Sequence, residues 1–341
     1  MLNIISKTYV EGETNGPNKV VTNLIKGLKI LDYPYCINKD FEATSQLWVH
    51  DDPEAIAQLS KDKIHAIVGP NIYILPRNIP ENTDLSNLVY IQPTKWARDF
   101  WRDCGYDKCP LDVWPAAIDT NEFPERTKPQ NGKVLLYYKQ RYVEELDFVK
   151  KILENKNISY QVITYGSYNE TEYKNILKNT KYIIWLGRHE TQGIALEEAL
   201  AINVPILVWD VESLGHWNPR KKDINIYTKE ELAYGNTTSA EYFDDRCGIK
   251  TKNKTEIEYS VEEMEQKWET FNPREYILEN LGLEKQAMEL LSLFEKYFGI
   301  KYDDGKNEVI KNNKKWRNDR ISFKLFSFTK ALAKKIVGKK G

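Results

Sequence analysis

Two glutamates eight residues apart, Glu190 and Glu198, lie in the segment RHETQGIALEEALAINVPILVWD, where a strand-like apolar run gives way to a helical pattern. With about 3.6 residues per helical turn, these side chains lie roughly 80° apart around the helix axis and about two turns apart along it. Gly193, between them, lets the backbone approach a ligand closely. Because the first amides of a helix lack partners and carry positive partial charge, this turn is predicted to hold a diphosphate.

Two glutamates on a helix are most often solvated surface charges. The strand–turn–helix context favours a functional role here, because the carboxyl ends of strands are where ligands bind in open α/β sheets.

The elements around this turn alternate between strand and helix. Apolar runs that predict strands extend from LNIIS at 2–6 to VPILVWD at 204–210, and helical patterns separate them. Such alternation predicts parallel, doubly wound sheets. A stretch at 116–132, rich in proline, asparagine and charge, predicts a linker between two domains. The predicted fold is therefore α/β, with two Rossmann-like doubly wound domains facing a cleft.

Composition restricts the class of protein. A chain of 341 residues with 41% apolar and 29% charged residues predicts a soluble globular protein with two cores. The first residues lack the pattern of a signal peptide and no apolar run is long enough to span a bilayer, so a cytoplasmic location is expected. The four cysteines are expected to be reduced thiols, and neither they nor the four histidines show metal-ligand spacing.

With this Glu-x7-Glu element followed by Ala-Leu-Ala, the chain resembles the retaining glycosyltransferases of family 4. The resemblance covers most of residues 1–298, and VWPAAIDTNEF is similar to the family's crossing between domains, with Ala117 where the family has glycine. It implies a GT-B fold and a retaining transfer of sugar from a nucleoside diphosphate to a glycan or glycolipid acceptor. It also implies that no metal or other cofactor is required.

The resemblance also implies roles for particular residues. Glu190 would reach the donor sugar, Glu198 would bind the ribose, and the amides near Gly193 would hold the diphosphate. Lys139 and Arg141 follow the strand where the family carries two phosphate-binding cations, although their register differs. His189 either contacts the donor sugar or is only a polar loop residue. The other donor-binding residues expected are Gly16, Gly166, Thr191, Gln192 and Ile194. Arg188 is expected to stabilise the leaving diphosphate together with the helix amides if neither Lys139 nor Arg141 reaches it.

Domain boundaries follow from the same patterns. We expect an acceptor domain at 1–118, a donor domain at 119–283, a helix at 284–300 that crosses back to the first domain, and a basic tail at 301–341.

The tail differs in charge from the rest of the chain. Residues 311–341 contain eleven Lys or Arg and one Asp, a charge of +10, whereas the remaining 38 basic and 49 acidic residues give −11. Apolar residues recur there at helical spacing, which predicts a basic amphipathic helix on an anionic membrane surface. A solvated tail and a helix docked on a partner are the alternatives. Nucleic acid is not expected, because no nucleic-acid module accompanies the charge.

Two other functions fit the same architecture. A sugar-nucleotide epimerase would bind the diphosphate in the same way but would need no acceptor. A non-catalytic scaffold for glycan synthesis would keep the fold without turnover.

Overall fold

The computed structural model of the protein describes residues 1–301. Two parallel β-sheets organise these residues, and helices alternate with the strands along the chain, in agreement with the predicted α/β class. Residues 302–341, which include most of the predicted basic tail, lie outside the described residues.

The first sheet contains six strands and is flanked by three helices. All neighbouring strands are parallel, and the strand order reverses next to the first strand. Most of its central strands are buried throughout, as is typical of a sheet covered by helices on both faces. In spatial order the strands are β2 (Tyr35–Ile37), β1 (Leu2–Ile5), β3 (Gln46–Val49), β4 (Ala66–Val68), β5 (Leu88–Gln92) and β6 (Leu111–Val113), and the helices are α1 (Gly16–Ile30), α2 (Pro53–Asp62) and α3 (Lys95–Asp103).

The second sheet has five parallel strands, and its order reverses between the first and third of them in sequence. Its central strand, KYIIWLG in the sequence, is almost entirely buried and leads into the Glu-x7-Glu segment. In spatial order the strands are β11 (Gly248–Thr251), β10 (Ile206–Trp209), β9 (Thr180–Gly187), β7 (Lys133–Lys139) and β8 (Tyr160–Thr164), and the helices are α4 (Val143–Asn155), α5 (Glu170–Lys178), α6 (Ile194–Ala201), α7 (Lys229–Leu232), α8 (Ile257–Lys267) and α9 (Pro273–Asn280).

A last helix, α10 (Leu283–Phe298), packs on the first half of the chain. Its apolar face is buried in the same core as α1 and β1. The two helices touch so closely that a Cβ atom on Gly27 would lie 2.2 Å from the carbonyl oxygen of Leu283. Within residues 1–301, no helix is long and apolar enough to cross a membrane.

Candidate functional site

A cavity of about 560 Å³ lies between the carboxyl ends of the two sheets. Ligands of open parallel sheets bind at such ends, where the strand order reverses. The first half of the chain contributes the start of α1 and the turn after β4, and the second half contributes the ends of β7, β8 and β9. The predicted site residues that line this cavity are Gly16, Lys139, Glu190, Thr191, Gln192, Gly193, Ile194 and Glu198.

The turn from β9 into α6 forms one wall of the cavity. Gly193 caps α6 with φ 95°, a left-handed conformation that a residue with a Cβ adopts only at a cost. The amides of Ile194 and Ala195 open the helix, and neither donates a hydrogen bond within residues 1–301. Because both residues line the cavity, the positive end of α6 lies against it.

A buried aspartate fixes the position of this turn. The amide of Glu190 donates to the carbonyl oxygen of Thr238 at 3.1 Å, and the hydroxyl of Thr238 donates to Asp210 Oδ2 at 2.6 Å. The amide of Ser239 also donates to Asp210, at 2.7 Å. The first glutamate of the motif is therefore held from the end of β10.

The Glu190 side chain is paired with a lysine from the neighbouring strand. Lys139 Nζ lies 2.6 Å from Glu190 Oε1, and the two side chains are only 13% and 11% exposed. The same ammonium lies 4.1 Å from the centre of the Tyr165 ring, a cation–π contact. Lys139 is thus placed in the cavity, where it can attract an anion.

The second glutamate is paired across the cleft. Lys19 of α1 forms an ion pair with Glu198, and its Nζ also lies 2.9 Å from Glu170 Oε2. Burial raises the pKa of Glu198 to about 7, and Lys19 offsets part of that rise. A cation from the first half of the chain therefore meets two carboxylates from the second.

Gln192 lines the cavity, but its side chain binds the crossing between the two halves. Its Oε1 accepts from the amide of Ala116 at 2.9 Å, and its Nε2 donates to the carbonyl oxygen of Ala116 at 2.8 Å. Nε2 also donates to Glu197 Oε2 at 2.9 Å. Burial raises the pKa of Glu197 well above its ordinary value.

Arg188 and His189 line an adjoining cavity of about 430 Å³ instead. His189 is surrounded by aromatic rings, with the centres of Trp217, Tyr227 and Trp96 at 5.5, 6.0 and 6.2 Å. Burial, reinforced by nearby cations, lowers its pKa to about 3. The imidazole is therefore neutral. The two cavities share Glu190 and Thr191.

Arg141 and Gly166 do not line either cavity. The Arg141 side chain is fully buried, with Nε and Nη2 donating to Glu145 at 2.9 and 2.6 Å. Its Nη1 donates to the carbonyl oxygens of Gly187 and Trp209. These bonds turn the guanidinium away from the cavity and fasten α4 to the ends of β9 and β10. Gly166 has φ 86° in the turn after β8, whose tyrosines do line the cavity.

Several polar residues that line the cavity were not among the predicted site residues, for example Lys19, Glu170 and Tyr165. Lys19 and Glu198 are 179 residues apart, so no spacing rule connects them. A local signal did exist for Glu170, since Asn169 caps α5 and places the next residue at the first turn beside the cavity.

Within the described residues, no group of three or more His, Cys, Asp or Glu side chains is arranged to hold a metal ion.

The sequence matches no protein-family model and no curated protein. Its structure is similar to sucrose-phosphate synthase from Thermosynechococcus elongatus, with a TM-score of 0.55 and 10% identity over 87% of this chain and 99% of that one. It is also similar to the catalytic domain of starch synthase IV from Arabidopsis thaliana bound to ADP and acarbose, with a TM-score of 0.53 and 10% identity over 88% and 99%.

A third similar structure is Anabaena HepE in complex with UDP and glucose, with a TM-score of 0.52 and 10% identity over 86% of this chain and 99% of that one. At this level of identity the likeness concerns the fold, and it agrees with the predicted GT-B arrangement of two α/β halves.

Proposed function

We propose that the chain is a glycosyltransferase that moves a sugar from a nucleoside-diphosphate donor to a glycan or glycolipid acceptor. The observation that carries this proposal is the convergence of Glu190, Glu198, Lys139 and the open amides of α6 on one cavity. The fold supports it, since structures with ADP and with UDP and glucose are among those similar to this chain.

Each of these groups has a physical role in the proposed reaction. The open amides and Lys139 attract the diphosphate and stabilise the charge that it gains as it leaves. Glu190 lies beside Lys139 and faces the sugar attached to that diphosphate, whereas Glu198, farther along α6, accepts from the ribose hydroxyls. Hydrogen bonds to a carboxylate are stronger than those between neutral groups.

We propose retention at the anomeric carbon. The bond from that carbon to the phosphate oxygen breaks, an acceptor oxygen forms a new bond on the same face, and the departing phosphate takes the acceptor proton. In this proposal Lys139 and the open amides of α6 neutralise the leaving diphosphate, so we propose that no metal ion is required and expect activity to persist in EDTA. The anomeric configuration of the product, measured by NMR, tests retention.

The first experiment is a thermal-shift screen with UDP-, GDP-, ADP- and CMP-sugars, because a ligand that binds the native state raises its melting temperature. Glu190→Gln and Lys139→Ala should then abolish transfer of the selected sugar. Lys156→Ala is the matched control, since this lysine pairs with two exposed glutamates on α8, outside both cavities.

The outcomes separate the possible functions. If no sugar nucleotide stabilises the protein, the proposal is wrong. Conversion of the donor without any acceptor would identify an epimerase, and donor binding without turnover would identify a non-catalytic scaffold.

We also propose that the protein works at the cytoplasmic face of a membrane, to which the basic residues 311–341 bind. The +10 charge of this segment supports the proposal, because anionic lipids attract clustered lysine and arginine.

A further inference from the structure

The cavity next to the proposed donor site has a different chemical character. Five aromatic side chains line it: Trp96, Phe100, Trp101 and Tyr73 come from the first half of the chain and Tyr227 from the second. Ligand sites are typically apolar, with a few polar groups that fix orientation, and the flat face of an aromatic ring can cover the apolar face of a sugar. Since this cavity shares Glu190 with the donor cavity, a ligand there lies next to the reacting sugar.

Arg188 distinguishes this cavity by its charge. Its guanidinium lies 4.8 Å from the centre of the Trp217 ring, and its buried Nε has no hydrogen-bond partner in residues 1–301. The other two cations that line the cavities, Lys19 and Lys139, are ion-paired with glutamates.

The acidic groups that line this cavity have partners of their own. Glu190 is paired with Lys139, and Asp223 Oδ2 accepts from Arg220 Nε at 2.7 Å. His189 is neutral, because burial lowers its pKa to about 3. Arg188 is therefore a half-buried cation of this cavity whose Nε lacks a hydrogen-bond partner in residues 1–301. Its planar fork fits a carboxylate or a phosphate.

We propose that this aromatic cavity binds a sugar acceptor that carries a negative charge, either a carboxylate or a phosphate, and that Arg188 holds that anion. The inference rests on the proposed function, since it names the acceptor class of that reaction. It also moves Arg188 from the donor diphosphate, where the sequence placed it, to the acceptor.

Three probes test the charge preference: methyl β-glucuronide, glucose 6-phosphate and the neutral methyl β-glucoside. Their binding is measured by saturation-transfer NMR, with UDP or ADP present and without nucleotide. At least one anionic probe should bind about 10- to 100-fold more tightly than the glucoside, as expected for a hydrogen bond to a charged group. The glucuronide and phosphate arms distinguish the two sources of the anion.

Variants then test Arg188 itself. Arg188→Gln should reduce binding of the anionic probe to the level of the glucoside while leaving UDP and ADP affinity unchanged, and Arg188→Lys should retain part of the preference. Arg246→Gln is the matched control, because this arginine pairs with Asp244 and Glu279 and lines neither cavity. Circular dichroism verifies that each variant is folded.

Three results would overturn the inference. The glucoside could bind as well as the anionic probes, none of the probes could bind at the highest soluble concentration, or Arg188→Gln could weaken UDP or ADP instead of the sugar. If no nucleoside diphosphate binds, the proposed function fails on its own, and the nucleotide-free arms still measure the charge preference of the cavity.

Discussion

Replacing Glu198 by glutamine should flatten the dependence of stability on pH. Burial raises the pKa of Glu198 to about 7, whereas a glutamate in an unfolded chain titrates near about 4.3. The folded state therefore binds this proton more tightly than the unfolded state does. Its contribution to stability is complete below pH ~4.3 and is lost as the pH rises through about 7.

The size of this change in stability follows from the pKa shift of Glu198. Each pKa unit corresponds to about 1.36 kcal/mol, so between pH ~5.5 and pH ~8 the wild-type protein should lose about 2 kcal/mol of unfolding free energy through Glu198. Such a loss lowers the melting temperature by roughly 4 °C. Glu198→Gln lacks the titrating group, so its stability should fall less over the same range.

The assay is thermal unfolding of both proteins across this pH range at constant ionic strength. The difference between the two curves isolates Glu198, because the other groups around it, namely Lys19, Glu170, Lys174 and the buried Glu197, are present in both proteins. Glu258→Gln, at an exposed position of α8, is the control. Parallel curves for wild type and Glu198→Gln would refute the reasoning, since they would mean that Glu198 titrates alike in the folded and unfolded states.

Three further changes have defined outcomes. Glu197→Gln should raise the melting temperature relative to wild type, and by more at pH ~8 than at pH ~5.5, because a carboxyl whose folded-state pKa is raised destabilises the folded protein as the pH rises. A variant-minus-wild-type difference that is no larger at pH ~8 would contradict this. Gly27→Ala should lower the free energy of unfolding, measured in urea, by about 1–3 kcal/mol, because its Cβ would lie 2.2 Å from the carbonyl oxygen of Leu283. An unchanged urea midpoint would exclude this tight contact between the helices. Gly16→Ala is the control, since a Cβ there meets nothing within 4 Å. Deletion of residues 311–341 should reduce sedimentation with anionic vesicles and leave melting unchanged, whereas undiminished sedimentation would reject the membrane role.

Local sequence patterns predicted most of the regular structure. The segment that became α3 shows why: Thr94 accepts from the amide of Ala97, Trp96 and Trp101 are buried, and Gly105 follows the helix with φ 81°. These are short-range rules of capping and periodicity, which the sequence contains directly.

Two strands that no apolar run indicates in the sequence, β2 and β11, are short and lie at sheet edges. β2 has three residues and β11 has four, and each is held to its sheet by a single neighbour. Neither contains the long apolar run by which buried strands are recognised, because an edge strand is less enclosed. Their existence depends on pairing with β1 and β10, which is information outside their own sequence.

The residues of the candidate site show the same difference between local and long-range information. The turn that carries Glu190 and Gly193 is local and was predicted, whereas Lys19 reaches the cavity only through the packing of two halves. Arg141 is a third case, since it follows a strand end as a phosphate-binding cation would, yet it pairs with Glu145 four residues later. Opposite charges four residues apart commonly form ion pairs near helices, so the sequence itself contained a signal for this pairing.

The pairing of charges in the proposed donor cavity has a consequence for binding. A buried ion pair whose partner is removed leaves an uncompensated charge, which costs several kcal/mol, about 3–5. Lys139 with Glu190, and Lys19 with Glu198, satisfy one another in the structure. In the proposed complex a diphosphate draws the ammonium groups toward itself, and the two carboxylates accept hydroxyls of the sugar and the ribose instead. A nucleoside diphosphate without its sugar would draw Lys139 away from Glu190 and offer that carboxylate no sugar hydroxyl in return. The cavity should therefore favour an intact sugar nucleotide over the free diphosphate.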